Sequence, residues 1–63
     1  SHSLPQLSVF EQKIFDTLTY EPTHIDALSE RSALSMSDTL VNLLSLEFKG
    51  IVRQLAGKMF VKM

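Results

Sequence analysis

The stretch from residue 35 to residue 50, S-M-S-D-T-L-V-N-L-L-S-L-E-F-K-G, constrains the fold more than any other part of the chain. It begins with a capping pattern, because the Ser35 hydroxyl can accept a hydrogen bond from a first-turn amide while Asp38 reaches back to the cap. It ends at Gly50, since glycine readily takes the left-handed conformation that closes many helices. These two signals predict a single helix with defined ends.

The spacing of the apolar residues predicts which face of this helix is buried. Residues three and four apart fall on one side of an α-helix. The side we expect to be buried consists of Met36, Leu40, Leu43, Leu44 and Phe48. The opposite side, a narrow polar face available to a partner, consists of Asp38, Asn42, Ser45 and Lys49.

Two shorter helices are predicted before it. Ser8 and Glu11 form a capping box that opens a helix ending near Tyr20, because the following Glu21-Pro22 disfavours helix. Its apolar stripe consists of Phe10, Ile14 and Leu18, with Phe15 beside them.

The segment T-H-I-D at residues 23–26 repeats the capping pattern and predicts a second helix over residues 25–32, anchored by Ile25 and Leu28. The connection at residues 32–35 has the length typical of a helix-turn-helix, and a minimal strand is expected around residues 24–25.

The pattern changes after Gly50. Residues 51–55 and 58–62 are rich in β-formers and flank the turn Ala56-Gly57, which predicts a hairpin packed on the helices. The predicted fold is therefore mainly α with a small β-hairpin, a winged helix-turn-helix of three helices plus a wing. A chain of 63 residues holds one domain. We assign residues 7–63 to it and residues 1–6 to a lead-in containing the remnant of a tag.

Composition excludes several classes of function. The two histidines are isolated and cysteine is absent, so no catalytic set or cluster of metal ligands is expected. The sequence also lacks a glycine-rich phosphate loop. We therefore predict a protein that is not an enzyme and that needs neither metal nor cofactor. No apolar run reaches the length of a membrane span and no secretory signal is visible, so a cytoplasmic location is predicted.

The charges are unevenly distributed, which bears on nucleic-acid binding. Residues 1–47 carry two basic and seven acidic side chains, whereas residues 48–63 carry four basic side chains and no acidic one. In a helix-turn-helix the second helix of the pair enters the major groove, and the wing supplies phosphate contacts. The candidate DNA-binding residues are Ser35, Ser37, Thr39, Asn42, Lys49, Arg53, Lys58 and Lys62.

Protein docking and transcription regulation are the alternative functions. The predicted polar face of the third helix contains no arginine, although phosphate neutralisation supplies much of the affinity for DNA. An exposed apolar patch would instead mark a docking surface. The candidates for partial exposure are Val9, Tyr20, Met59, Phe60 and Val61.

Three segments together resemble the C-terminal winged-helix domain of the bacterial DNA-processing protein A (DprA/Smf) family. They are L-S-V-F-E-Q-K-I-F-D-T-L at residues 7–18, E-P-T-H-I-D-A-L-S-E-R-S-A-L-S at residues 21–35, and L-V-N-L-L-S-L-E-F-K-G-I-V-R-Q-L-A-G-K-M-F at residues 40–60. The resemblance extends over about residues 7–62, and the P-T-H-I-D segment is its most distinctive part.

The resemblance implies an accessory role in DNA uptake during natural transformation and in recombination. The parent protein would carry an upstream Rossmann-like domain that binds single-stranded DNA, dimerises and helps to load the recombinase RecA. The implied partners are therefore DNA, bound weakly in single- or double-stranded form without strong sequence preference, and the upstream domain or the recombinase. This chain has Gln54 and Ala56 where a second Arg and a Pro are common in the family, which favours the docking alternative. The preferred hypothesis is weak, sequence-tolerant DNA binding through the wing and the polar face of the third helix, and the competing hypothesis is a docking module without DNA affinity of its own.

Overall fold

The computed structural model describes residues 6–63, which form three helices and a three-stranded antiparallel sheet. In chain order the elements are α1 (Val9–Thr17), β1 (Thr23–His24), α2 (Ile25–Ser32), α3 (Met36–Phe48), β2 (Val52–Leu55) and β3 (Met59–Lys62). This order confirms the predicted winged helix-turn-helix. Most of the predicted lead-in lies outside the described residues.

Local capping explains where α1 begins and where α3 begins and ends. The Ser8 amide donates to Glu11 Oε1 at 2.8 Å and the Glu11 amide donates to Ser8 Oγ at 3.2 Å, which is the predicted capping box. At α3 the Asp38 amide donates to Ser35 Oγ at 3.0 Å. Gly50 follows the helix with a φ of 82°, as its predicted role in ending the helix requires.

The predicted end of α1 and the predicted cap of α2 were wrong, whereas the predicted bounds of α2, residues 25–32, are confirmed. The helix α1 ends at Thr17 rather than near Tyr20, because the chain turns extended at Leu18. The Thr19 carbonyl accepts a hydrogen bond from the Lys62 amide at 2.9 Å, so Thr19 pairs with the last strand of the sheet instead of continuing the helix. The cap of α2 is His24 rather than Thr23, and His24 Nδ1 accepts from the Asp26 amide at 3.0 Å.

The sheet has the strand order β1-β3-β2, so the last strand in sequence lies in the middle. Thr23 is the register partner of Phe60 in β1 and β3, and Leu55 is that of Met59 in the hairpin. The predicted minimal strand therefore exists, one residue earlier than expected. The hairpin turn includes Gly57 and Lys58, both with positive φ.

The core lies between the helices and the inner face of the sheet. Its buried members are Ile14, Leu18, Ile25, Leu28, Leu43, Leu46, Val52 and Phe60. Phe60 is only 1% exposed, so the expectation of its partial exposure was wrong. Val9 and Tyr20 are exposed, whereas Met59 and Val61 are half-buried. None of the three described helices is long and apolar enough to cross a lipid bilayer.

Candidate interaction surface on the third helix

The helix α3 is rotated about its axis relative to the sequence-based prediction. Its buried side chains are Thr39, Leu43 and Leu46. Four of the five residues predicted to be buried lie instead on the surface: Met36, Leu40, Leu44 and Phe48. The predicted apolar and polar faces of α3 were therefore wrong, except at Leu43.

A largely buried ionic contact between α1 and α3 accompanies this rotation. Lys49 Nζ lies 2.8 Å from Glu11 Oε1 and 2.9 Å from Glu11 Oε2. The Ser45 hydroxyl donates to Glu11 Oε2, and Lys49 Nζ also donates to the Gln6 carbonyl at 2.9 Å. Ser45 and Lys49 are four residues apart and share one side of the helix. Their bonds to Glu11 turn that side towards α1.

The Glu11 carboxylate is held in its charged form by these contacts. Hydrogen bonds from Lys49, then from Ser45 and from the Ser8 amide, lower the pKa of Glu11 from 4.5 to about 2. Burial acts in the opposite direction, because it disfavours the charged form. The residue is 5% exposed, and its charge is compensated by that of Lys49.

The rotation leaves a continuous apolar surface on the outer side of α3. We call it the α3 stripe, and its members are Met36, Leu40, Val41, Leu44 and Phe48. Phe48 is 94% exposed and Leu44 is 48% exposed, so residues 6–63 leave Phe48 almost uncovered and cover only about half of Leu44. A helix exposed to water normally places polar residues on this side. The α3 stripe is consequently an unpartnered face.

An open groove adjoins the first half of the α3 stripe. Its volume is about 540 Å³, and Met36 and Leu40 form one wall of it. Gln54 and Lys58 of the hairpin also line the groove, as does His24 at the start of α2. The surface thus combines an apolar helix face with a polar rim supplied by the wing.

Three of the candidate DNA-binding residues of α3 are held by contacts within the domain. Thr39 is 0% exposed, so a nucleic acid cannot reach it in this fold. Asn42 is half-buried and donates through Nδ2 to the Asp38 carbonyl at 2.7 Å. Lys49 is paired with Glu11. Ser35 and Ser37 are exposed at the start of the helix.

The candidate residues of the wing are more accessible. Arg53 and Lys58 are exposed on the hairpin. Lys62 is half-buried, and its Nζ lies 4.6 Å from the centre of the Phe15 ring, within the range of a cation–π contact. The structure therefore does not bring the eight candidates together on one surface.

Sequence reasoning missed the two features that define this surface. It did not recognise the structural role of Glu11 beyond the cap, because an acidic residue and a basic residue 38 positions apart give no local signal. It also did not find the α3 stripe, because the apolar residues of α3 extend around more than half of the helix, and their spacing does not show which of them are buried. Residues 6–63 contain no group of three or more His, Cys, Asp or Glu side chains placed to hold a metal ion.

Comparison with known proteins identifies the family of the chain. No curated protein sequence matches the chain. The DprA winged helix domain matches residues 1–58, which is most of the chain. That match agrees with the helix order, the hairpin and the three resembling segments. The chain therefore belongs to the DprA winged helix domain family.

Proposed function

We propose that the chain is an accessory domain of a DprA-like DNA-processing protein acting in natural transformation and recombination, and that it contributes a protein-docking surface. The observation that carries this proposal is the α3 stripe, since an apolar helix face of this size normally marks an interaction site. In this proposal the domain works in the cytoplasm and takes no part in catalysis.

The electrostatics of α3 support docking over DNA reading. The helix Met36–Phe48 contains no Lys or Arg, and it carries the acidic residues Asp38 and Glu47. A face that binds DNA tightly needs positive charges, because release of counterions from phosphates supplies much of the affinity. Lys49, the one base adjoining the helix, is already paired with Glu11.

A second candidate function is weak, sequence-tolerant DNA contact through the wing. The exposure of Arg53 and Lys58 favours it, since both side chains are free to meet phosphates. Two such contacts give only a weak, salt-sensitive interaction. The two functions use different side chains, because the apolar residues of the α3 stripe serve docking and Arg53 and Lys58 serve phosphate contact, although Lys58 also lines the groove beside Met36 and Leu40.

An NMR titration of the labelled domain with short single- and double-stranded DNA at low salt tests the assignment of α3. We expect amide shifts to be absent from the α3 stripe and to be confined, where present, to residues 53–62. Salt-reversible shifts at Ser37, Leu40 and Leu44 would show that α3 meets DNA and would overturn the proposal.

A transformation assay with the parent protein tests the docking role itself. Leu44→Glu places a charge in the α3 stripe and is expected to lower transformation frequency at least about tenfold. Val9→Glu is the matched control, because Val9 is an exposed apolar residue of α1 outside the stripe. Equal frequencies for the two variants would contradict docking through α3.

A further inference from the structure

We propose that the groove beside Lys58 is the charged end of the docking surface, and that it receives a protein segment in which an acidic side chain adjoins a large apolar one. The inference rests on the proposed function and names the chemistry of the partner. It follows from the backbone conformation of Lys58, from the residues that line the groove and from the charges around it.

Lys58 has a backbone conformation that is unfavourable for a lysine. Its φ is 60°, in the left-handed region where the Cβ atom of an L-residue crowds the following carbonyl oxygen. Its carbonyl accepts a hydrogen bond from the Ile25 amide at 3.0 Å, which ties the hairpin turn to the start of α2. Glycine would allow the same bond without the steric cost. The backbone therefore does not require lysine here, and strain of this kind is concentrated at functional sites.

The groove offers a place for an apolar side chain directly beside Lys58. Met36 and Leu40 of the α3 stripe line it together with Phe60 and Lys58. Its volume of about 540 Å³ lies in the range of pockets that enclose small ligands, roughly 300–1,000 Å³. A large apolar side chain of a partner that enters the groove covers the first half of the α3 stripe, and its neighbour in the partner then lies near Lys58.

The charges around the groove favour an acidic group in that position. The described part of the chain contains two contacts between basic and acidic side chains, Lys49 with Glu11 and His24 with Asp26. Lys58 takes part in neither, and it is exposed. A carboxylate of a partner would give its ammonium group the charge-assisted hydrogen bond that it lacks within the domain.

A nucleic acid suits the groove less well than a protein does. Asp26 lines the groove, and Asp38 is exposed in the first turn of α3. These carboxylates repel a phosphate backbone, whose charges repeat along the strand, whereas a single carboxylate can approach Lys58 alone. The apolar walls formed by Met36 and Leu40 gain more from burying an apolar side chain than from meeting a hydrated backbone.

Selection of a random peptide library displayed on phage against the immobilised domain tests the chemistry of the partner. We expect the retained peptides to be enriched in Asp or Glu close in sequence to Leu, Phe or Trp. NMR titration of the labelled domain with a retained peptide should shift the amides of Met36, Leu40 and Lys58. Retained peptides rich in Lys or Arg, or a selection that retains none, would overturn the proposal.

Substitutions test the role of Lys58 with the same peptide. Lys58→Gly removes both the charge and the backbone strain, so it should weaken binding roughly threefold to tenfold and raise the thermal unfolding midpoint by a few degrees. The raised midpoint separates lost binding from lost folding. Lys58→Arg should keep most of the affinity. Arg53→Gln is the control, because Arg53 is an exposed base of the wing that does not line the groove.

Two results would contradict the assignment of Lys58. One is an equal loss of peptide affinity in Lys58→Gly and Arg53→Gln, because net charge alone would then explain the binding. The other is a thermal midpoint that falls in Lys58→Gly, because the left-handed backbone would then carry no strain.

The two proposals fail in different experiments. Transformation that is lowered by Leu44→Glu but unaffected by Lys58→Gly refutes the assignment of the groove and leaves docking through the α3 stripe in place. Equal transformation frequencies for Leu44→Glu and Val9→Glu refute the docking function itself.

Discussion

Lys49 Nζ contacts both carboxylate oxygens of Glu11, at 2.8 and 2.9 Å, and so joins the end of α3 to the first turn of α1. The side chain of Glu11 is 7% exposed and that of Lys49 is 29% exposed. The contact requires that the side of α3 carrying Ser45 and Lys49 faces α1. In this rotation Thr39, Leu43 and Leu46 are buried and the α3 stripe faces outwards.

Removing the charge of Glu11 should destabilise the domain. Glu11→Gln keeps the size of the side chain but leaves Lys49 without its carboxylate, and we expect a loss of roughly 1–2 kcal/mol in the free energy of unfolding. Urea denaturation followed by circular dichroism measures it. Glu30→Gln, at an exposed position, should change stability by less than about 0.5 kcal/mol. Equal losses in the two variants would show that the buried contact contributes nothing.

The same carboxylate predicts how stability depends on pH. The pKa of Glu11 is lowered from 4.5 to about 2 in the folded domain. Because the pKa is lower in the folded domain, the unfolded chain binds the proton at a higher pH than the folded one. The contribution of ionised Glu11 to the free energy of unfolding is therefore complete above about pH 5 and is lost as the pH falls towards 2. Unfolding free energies measured from pH 7 to pH 2 should fall less steeply in Glu11→Gln than in the unmodified domain. Parallel curves would contradict the lowered pKa.

Adjacent leucines of α3 should differ sharply in their contribution to stability. Leu43 is 0% exposed, so Leu43→Ala opens a cavity and should cost about 2–4 kcal/mol. Leu44 lies in the α3 stripe, and Leu44→Ala should cost less than about 1 kcal/mol. Urea denaturation of both variants makes the comparison. Similar losses would place Leu44 in the core and refute the observed rotation of α3.

The C-cap of α2 offers a stabilising substitution. Ala33 has a φ of 60°, in the left-handed region that glycine adopts without steric cost. Ala33→Gly should therefore raise the free energy of unfolding by about 0.5–1 kcal/mol. The same change inside the helix, Ala27→Gly, should lower it by about 1 kcal/mol. Thermal unfolding of the two variants should show midpoints that move in opposite directions, and movement in the same direction would argue against the left-handed cap.

The wing can be tested separately from α3. If it binds phosphate, Arg53→Ala with Lys58→Ala should weaken binding to all DNA sequences about equally and reduce the salt dependence. Fluorescence anisotropy at low salt measures both effects. Lys13→Ala with Arg31→Ala removes the same charge from exposed positions of α1 and α2 and is the control. Identical affinities of the two double variants would assign any DNA binding to net charge alone.

The sequence was sufficient to predict the order and approximate bounds of the elements, because the signals for these are local. Ser8, Ser35 and Gly50 act within four residues of the helix ends that they define. The rotation of α3 was not predictable in this way. Leu40 and Leu44 lie on one side of the helix and Leu43 and Leu46 on another, and which pair is buried depends on contacts with elements distant in sequence, Glu11 of α1 among them. The rotation also removes two predicted DNA-binding residues from the exposed surface of α3, because Thr39 is buried and Lys49 is paired with Glu11.

Other errors had the same origin in tertiary pairing. The early end of α1 depends on the hydrogen bond between the Thr19 carbonyl and the Lys62 amide. The cap of α2 is His24, whose Nδ1 accepts from the Asp26 amide, and the whole of β1, His24 included, pairs with β3. The sequence of residues 19–24 alone does not predict contacts with partners so far along the chain.

The central position of β3 has a consequence for the order in which the domain folds. The strand β1 has only two residues, and its register partners lie 35 to 37 positions further along the chain. Such non-local pairing must wait until the intervening chain has been brought together, whereas the helices can begin to form from local contacts. The Ile25 amide, which donates to the Lys58 carbonyl at 3.0 Å, closes the connection between α2 and the hairpin. Its protection in pulsed hydrogen exchange should therefore lag behind that of the amides within α3 and mark the moment at which the wing docks on the helices.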